Sequence, residues 1–364
     1  MRALIVKASA LGDIVHALPI LDYLHKVSPG IEIDWIVEEG FRDVLEGHPQ
    51  IAELHVVRTR AWRKRPFAAR TRQEVVALRN ALHAREYKLV FDIQGNLKSG
   101  LIAWLSGCEQ RLGFTGEEVQ ERYNLFFTTR QIPVRPQDKH VTDKCLRLVS
   151  VPFGKDFSGM DLTTTIATDI EDDSEAEALL ATLGEGLVFL FHYGTTWQTK
   201  FWSSEGWVAL GKELLARHTD STILFSWGND AERQAVTEIS RAIGSGARVM
   251  DRYPLRKLVA ILKKMDLVVG GDTGPVHLAA AVGTPTVSFY RSSDGSRSGP
   301  RGKQHAVIQS PLSCSRCFLT KCKRDRECME SITAKAVIEA AAGLLGIPAP
   351  GRSECMEKSE ERTE

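Results

Sequence analysis

A chain of 364 residues with 43% hydrophobic and 26% charged residues has the make-up of a soluble globular protein with real cores; at roughly 150 residues per domain it is long enough for two. Its 47 basic and 46 acidic residues leave a net charge of +1, which excludes nucleic-acid binding through bulk charge and confines any polyanion site to a local patch. No apolar run is long enough to span a bilayer, and the opening MRALIVKASALGD is too short in its apolar part for a signal peptide, so a cytoplasmic protein with at most peripheral membrane contact is expected.

In chain order, Arg2 to Lys7 reads as a strand, Ser9 to Asp13 as a glycine-containing turn, and Ile14 to Val27 as a helix with Leu18, Leu21 and Leu24 recurring. Glu32 to Val37 is the next strand, Phe41 to Leu45 a short helix, Glu53 to Val57 a strand, Gln73 to Ala84 an amphipathic helix, and Leu89 to Ile93 a buried strand. Arg130 to Pro136 is extended, Val141 to Val149 helical, and Pro152 to Ser174 irregular and polar. The second half repeats the pattern: strand Leu187 to Phe191, helix Ser204 to Arg217, strand Ser221 to Trp227, helix Ala231 to Ile243, a short strand at Arg248 to Met250 and helix Leu255 to Lys264. Strand Leu267 to Gly271, helix Pro275 to Val282 and strand Thr286 to Tyr290 follow, and Ala334 to Leu345 is a last helix. Such alternation is that of an α/β protein with parallel sheets covered on both faces. It predicts two Rossmann-like doubly wound domains, residues 1–160 and 186–330, joined by a linker at 161–185 and followed by a helix at 331–346 and a disordered charged tail at 347–364. Ligands of paired domains of this kind bind at the carboxyl ends of the strands, in a central cleft.

Four clusters fall on loops after strands. In Lys7-Ala8-Ser9-Ala10-Leu11-Gly12-Asp13, Asp13 is placed to take a proton from an acceptor hydroxyl, although capping a helix is the commoner task of a lone aspartate there. In His192-Tyr193-Gly194-Thr195-Thr196-Trp197-Gln198-Thr199-Lys200, hydroxyls, glycine N–H groups and Lys200 make a pyrophosphate grip, the lysine neutralising charge on a departing nucleotide; the alternative is a surface loop over Trp202 and Trp207. In Trp227-Gly228-Asn229-Asp230-Ala231-Glu232, Glu232 is a ribose contact or a first-turn helix acid, and Asp230 reads equally as the helix cap. In Gly271-Asp272-Thr273-Gly274-Pro275-Val276-His277, glycines beside a carboxylate and a hydroxyl offer a phosphate the positive end of a helix, against the reading that Asp272 caps and His277 packs. A fifth stretch, Arg58 to Arg72, has seven basic residues and no acidic one. It suits sugar acids, phosphates or an anionic membrane, and the bland alternative is a solvated basic loop.

Together KASALGD, HYGTTWQTKFW, WGNDAE and GGDTGPVHLAAAVGTPTVSFY resemble glycosyltransferase family 9, the bacterial lipopolysaccharide heptosyltransferases, from Met1 to about Ala341. DWIVEEGF, TRAWRK and FDIQGNLKSG are similar to its heptosyltransferase I subgroup. The resemblance implies a GT-B fold and inverting, metal-independent transfer of L-glycero-D-manno-heptose from ADP-heptose to the Kdo sugar of the lipid A inner core, with no cofactor and no nucleic-acid partner, at the inner face of the cytoplasmic membrane. It further implies that Asp13 is the general base and Lys200 the leaving-group cation. By the same resemblance Thr195, Thr196, Lys200, Glu232, Asp272, Thr273, Gly274 and His277 bind the donor, and Arg60, Arg63 and Lys64 bind the acceptor. Ala61 departs from a pattern in which another arginine occurs. The competing expectations are a GT-B enzyme on another nucleotide sugar, and a non-catalytic nucleotide-sugar-binding protein; keeping both Asp13 and Lys200 argues against the latter.

Of seven cysteines, Cys314, Cys317, Cys322 and Cys328 form C-x2-C-x4-C-x5-C, the spacing of a structural zinc site or of paired disulfides, the latter disfavoured in the cytosol. No catalytic metal is expected from them. Cys108 and Cys145 lie in apolar helical contexts and are expected to be buried.

Overall fold

A computed structural model describes residues 1–346, so the expected tail at 347–364, with Cys355, lies outside the described residues. The chain divides into two compact units between Ala167 and Thr168. In the first, β1 (Arg2–Val6), β2 (Glu32–Glu38), β3 (Glu53–Val57), β4 (Leu89–Asp92), β5 (Arg111–Phe114) and β6 (Arg130–Ile132) form one parallel sheet in the order β3-β2-β1-β4-β5-β6. β1 pairs with β2 in a register that sets Leu4 opposite Asp34 and Val6 opposite Ile36. Leu4, Val6, Ile36, Val57 and Val90 are buried against Leu78 and Leu82 of helix Ala69–Ala84 and Ile102 of helix Leu97–Leu105. Near-continuous apolar strands are what a sheet covered on both faces requires.

The second unit repeats this topology with β7 (Val188–His192), β8 (Thr222–Ser226), β9 (Ala247–Val249), β10 (Leu267–Gly271), β11 (Thr286–Tyr290) and β12 (His305–Gln309), ordered β12-β11-β10-β7-β8-β9. Its core is aromatic. Trp207 lies 5.2 Å from Phe191 and 5.2 Å from Trp202, centroid to centroid, as expected of tryptophans packed beneath the loop that precedes them. The Trp202 indole donates to Ile332 O at 2.7 Å, tying the chain into the core just before helix Ala334–Leu345. Both sheets therefore reverse direction beside their first strand, between β1 and β4 and between β7 and β10, where open α/β sheets bind ligands.

Three expectations are corrected. The helix expected over 14–27 is two helices, Leu11–Ala17 and Pro19–Val27, because Pro19 lacks the N–H that would continue the first and suits the first turn of the second. A helix, Ile170–Ala181, starts inside the stretch 152–174 expected to be irregular and lies within the expected linker at 161–185; Asp169 accepts from Asp172 N at 2.8 Å, and Glu171, Asp172 and Asp173 face the positive helix end. Part of the basic stretch is also helical, as Thr59–Lys64 and the start of Ala69–Ala84.

Burial pushes the imidazoles of His48, in the first unit, and His192, in the second, down to about 4. Each is neutral in the folded chain and takes up a proton more readily when unfolded, so stability should fall as pH drops from the ordinary histidine range, about 6.5, toward 4. Melting temperatures across this window should decline, and His192→Gln should flatten the decline; a constant Tm from pH 7 to 4.5 would contradict the account.

Candidate functional site

In the first unit the loop after β1 is held from three sides. Trp35 donates its indole N–H to Lys7 O at 3.0 Å, Glu38 N donates to Ala8 O at 3.1 Å, and Ser9 N donates to Gln94 Oε1 at 3.1 Å. Asp13 sits in the first turn of helix Leu11–Ala17. Its carboxylate has only long contacts, 3.5 Å from Ala10 N and 3.5 Å from the Nζ of buried Lys7, and the side chain keeps 35% of its exposure. Asp13 thus serves as the N3 acid of a capping box, and the long 3.5 Å contact to Ala10 N and the 35% exposure leave its carboxylate room for a further partner. Lys7, which sequence reasoning did not single out, supplies a cation beside it; a lysine closing an otherwise apolar strand was the available signal.

The basic segment begins at the end of β3. Glu38, at the end of β2, accepts from Thr59 N (3.2 Å), Thr59 Oγ1 (2.6 Å) and Arg60 N (3.2 Å), fixing the start of helix Thr59–Lys64. Arg60, Arg63 and Lys64, at i, i+3 and i+4, share one face of it and are exposed. Two members of the run face elsewhere: Glu74 pairs with Arg58, with Arg70 at 3.0 Å, and with the Trp62 indole at 2.7 Å. The hydrogen bond from Trp62 and the arginines hold the Glu74 carboxyl down at about 2. The stretch is thus two helical segments, Thr59–Lys64 and the start of Ala69–Ala84, joined by a turn at 65–68 and anchored by Glu38 and Glu74 from outside it.

In the second unit, the residues expected to bind a donor gather after β7, β8 and β10. Lys200 Nζ lies 2.6 Å from Asp272 Oδ2 and 3.2 Å from Asp272 O, and 4.5 Å from the centroid of the Trp197 ring. His277 Nε2 is 3.1 Å from Asp272 Oδ1, and Ser298 Oγ donates to the same oxygen at 3.5 Å. Burial pushes the Asp272 carboxyl up, but the hydrogen bond from His277 and the charge of Lys200 prevail and hold it well below the usual carboxylate range. The capping reading of Asp272 is overturned. Thr273 is the N-cap of helix Gly274–Ala281, and Asp272 turns to side chains instead. Close approach explains the glycines here: a Cβ on Gly271 would stand 3.1 Å from Lys200 O, and one on Gly270 2.6 Å from Val276 Cγ2.

Glu232 is buried, its Oε2 accepting from Gly228 N at 2.7 Å and its Oε1 from Asn229 Nδ2 at 2.8 Å. Asn229, not Asp230, caps the helix, accepting from Glu232 N at 3.1 Å. A Cβ on Gly194 would meet Glu232 Oε2 at 2.2 Å, so the loop carrying Thr195 and Thr196 lies directly against Glu232. Thr195 Oγ1 accepts from Trp197 N at 3.5 Å, while Thr196 is exposed.

The four clustered cysteines are free thiols rather than disulfides, and Arg324 stands between two of them, its Nη1 3.9 Å from Cys314 Sγ and its N 3.4 Å from Cys322 Sγ. Among the described residues, the group of three or more ligand-type side chains with atoms within 4.8 Å of one another is not there but at Asp34, Glu53 and His55. Arg85 already donates to Asp34 at 2.7 and 2.9 Å, and Tyr87 at 2.6 Å, making that cluster an internal ion network. Cys108 and Cys145 are buried as expected.

Residues 75–327 match the model of glycosyltransferase family 9 (heptosyltransferase). The chain belongs to this family. It is 30% identical over 323 residues to lipopolysaccharide heptosyltransferase 1 of Pseudomonas aeruginosa, covering 88% of this chain and 87% of that one. E. coli heptosyltransferase WaaC with ADP superposes with a TM-score of 0.76 at 28% identity, covering 94% of this chain and 99% of WaaC. WaaC with ADP-2-deoxy-2-fluoro heptose gives 0.74, with the same identity and coverage. The chain is accordingly a glycosyltransferase, and its two Rossmann-like units are those of the GT-B fold, as the family 9 resemblance implied. No helix among the described residues is long and apolar enough to cross a membrane.

Proposed function

We propose that this heptosyltransferase of lipopolysaccharide core assembly moves L-glycero-D-manno-heptose from ADP-heptose to the Kdo sugar of the lipid A inner core, with inversion at the anomeric carbon, at the inner face of the cytoplasmic membrane. The observation that carries the donor half is the Lys200–Asp272 pair on the loops after β7 and β10, at the reversal of the second sheet. A family 9 chain with a partly buried lysine and carboxylate there has the charge to receive a sugar nucleotide. In this reading the pyrophosphate takes Lys200 and the N–H groups opening helix Gly274–Ala281, with Thr195 and Thr196 beside it. Asp272, supported by His277, turns to the heptose hydroxyls, with Thr273 and Gly274 shaping the same turn. Glu232 retains carboxylate lone pairs for the ribose after serving Gly228 and Asn229.

The acceptor half belongs to the first unit. The Kdo hydroxyl oxygen attacks the anomeric carbon, Asp13 accepts its proton, and the carbon–oxygen bond to ADP breaks with its electron pair leaving on the phosphate. Arg60, Arg63 and Lys64 meet the carboxylate of Kdo and the phosphates of lipid A. ADP should raise the melting temperature of the protein while UDP, GDP and CDP should not; stabilisation by another diphosphate alone would assign a different donor.

Reversing the exposed cations tests the acceptor half. With a water-soluble, acyl-free Kdo acceptor, the Arg60→Glu, Arg63→Glu, Lys64→Glu variant should raise acceptor KM at least about tenfold at low salt and leave donor KM unchanged. Added salt should shrink the difference, because exposed charges are screened over about 8 Å at physiological ionic strength. An unchanged acceptor KM at low salt would remove these residues from the acceptor site.

A further inference from the structure

Helix Leu97–Leu105 is apolar on two opposite faces. Ile102 and Ala103 are buried in the first unit's core, while Leu97, Leu101 and Trp104, at i, i+4 and i+7, form an outward stripe exposed by 37%, 39% and 55%. Beside the stripe is the 3-10 turn Arg122–Phe126, which exposes Tyr123 by 67% and Phe126 by 81%. The turn is rigidly seated. A Cβ on Gly100 would stand 3.0 Å from both Asn124 Nδ2 and Phe127 Cδ2, so the two elements meet backbone to side chain. Fully buried Asn124 donates to Asp92 Oδ2 at 2.5 Å and to Asn96 O at 2.9 Å, and Leu97 N donates to Glu121 Oε2 at 2.8 Å. Five large apolar side chains are thus held outward by a polar frame behind them.

Cations border this face. Lys98 Nζ donates to the hydroxyl of Thr59, the first residue of the basic helix, at 3.4 Å, which places Arg60, Arg63 and Lys64 next to the start of helix Leu97–Leu105. None of these four cations has a carboxylate partner among the described residues. Of the three acids of the adjoining loop, Glu118 pairs with Lys144 and Glu121 accepts from the amide of Leu97, which leaves Glu117 as its one exposed carboxylate outside these contacts.

We propose that the outer face of helix Leu97–Leu105 and the turn Arg122–Phe126 form a membrane-docking surface that inserts into the interfacial layer of an anionic phospholipid bilayer. Leu101, Trp104 and Phe126 enter the acyl boundary, and Lys98 with the basic helix meets the lipid phosphates. An aromatic and aliphatic stripe flanked by lysine and arginine is the pattern that an interfacial, non-spanning element presents to such a bilayer. Charge decides against a second copy of this chain: two such faces meeting about a twofold axis would set four cations from each copy against each other, with one exposed loop carboxylate per copy, Glu117, to match them. The surface rests on the reading that the acceptor is lipid-borne, and it places the basic acceptor helix at the lipid headgroups.

Flotation of the full chain with vesicles tests this without any turnover, so its failure is distinct from failure of the proposed reaction. The protein should float with phosphatidylcholine vesicles containing phosphatidylglycerol and not with phosphatidylcholine alone. Leu101→Ser, Trp104→Ser, Phe126→Ser should reduce the bound fraction at least tenfold with an unchanged melting temperature; should the triple variant misfold, Phe126→Ser alone gives the same comparison from an exposed site. The emission difference between wild type and Trp104→Phe should shift to the blue on adding anionic vesicles. Equal binding by wild type and the correctly folded variants, no binding by the wild type, or a wild-type dimer that the variant converts to monomers would overturn the proposal.

Discussion

Asp13→Ala and Asp13→Asn should both lose about 10²-fold to 10⁴-fold in kcat, the usual contribution of a positioned general base, while ADP binds as to the wild type. The pair of substitutions separates the two roles that an aspartate in a first helical turn can have. Asparagine still offers an oxygen to Ala10 N, now approached at 3.5 Å, so a capping role would be rescued by it and a base would not. The long contacts of this carboxylate and its 35% exposure predict little loss of stability from either change. Its neighbour Lys7 lies on the same loop, and the donor residues lie in the other unit, so unaltered ADP affinity is the control that the donor site is intact. Activity retained by Asp13→Asn would return the residue to its capping role.

Lys200→Ala should lower kcat by about 10²-fold to 10³-fold, the range found when one electrostatic stabiliser of a transition state is removed, and should weaken ADP binding as well. It should also destabilise the fold. Removing one partner of a buried ion pair costs about 3–5 kcal/mol, because the other charge is left without compensation, and Lys200 and Asp272 retain only 15% and 11% of their exposure. Asp272→Asn added to Lys200→Ala should therefore restore part of the stability and none of the rate. This opposition between stability and rate is the signature of a pair that a substrate divides. With Lys200 and the helix end carrying the leaving-group charge, the wild-type rate should survive EDTA. Loss on chelation restored by magnesium would put a metal in that role, and a double variant as active as the wild type would take Lys200 out of the reaction.

The strands that place the site were legible because each is a short, mostly apolar run closed by glycine or by a polar residue, as β1 is by Lys7, β7 by His192, β8 by Ser226 and β10 by Gly271. β10 and the helix after it fall where the pattern LVVGGDTGPVHL puts them. Which loops meet was not legible. Lys200 and Asp272 are 72 residues apart, and only the strand order, with β10 beside β7, brings them together. The alternative roles of Asp272 show the same limit. Position suits it to a helix cap, but the cap geometry falls to Thr273, and the side chains of Lys200, His277 and Ser298, from three separate elements, claim the carboxylate. Charge counting along the chain likewise missed that Glu38 and Glu74 anchor the basic segment from outside it. Between Asn96 and Thr129 the pattern was silent. β5 is four residues beginning with an arginine and containing a glycine, and helix Leu97–Leu105 is apolar on both faces, so neither carries the periodicity that marks an element with one wet side.

Heptosyl transfer itself is the central claim, and the most direct measurement is incubation of the purified chain with ADP-L-glycero-β-D-manno-heptose and Kdo-bearing lipid A, followed by mass spectrometry and anomeric NMR of the product. One heptosyl unit should appear on Kdo, linked through an anomeric centre of opposite configuration to the donor, with release of one equivalent of ADP. Release of ADP without a glycosidic product, or a product that retains the donor configuration, would contradict the account.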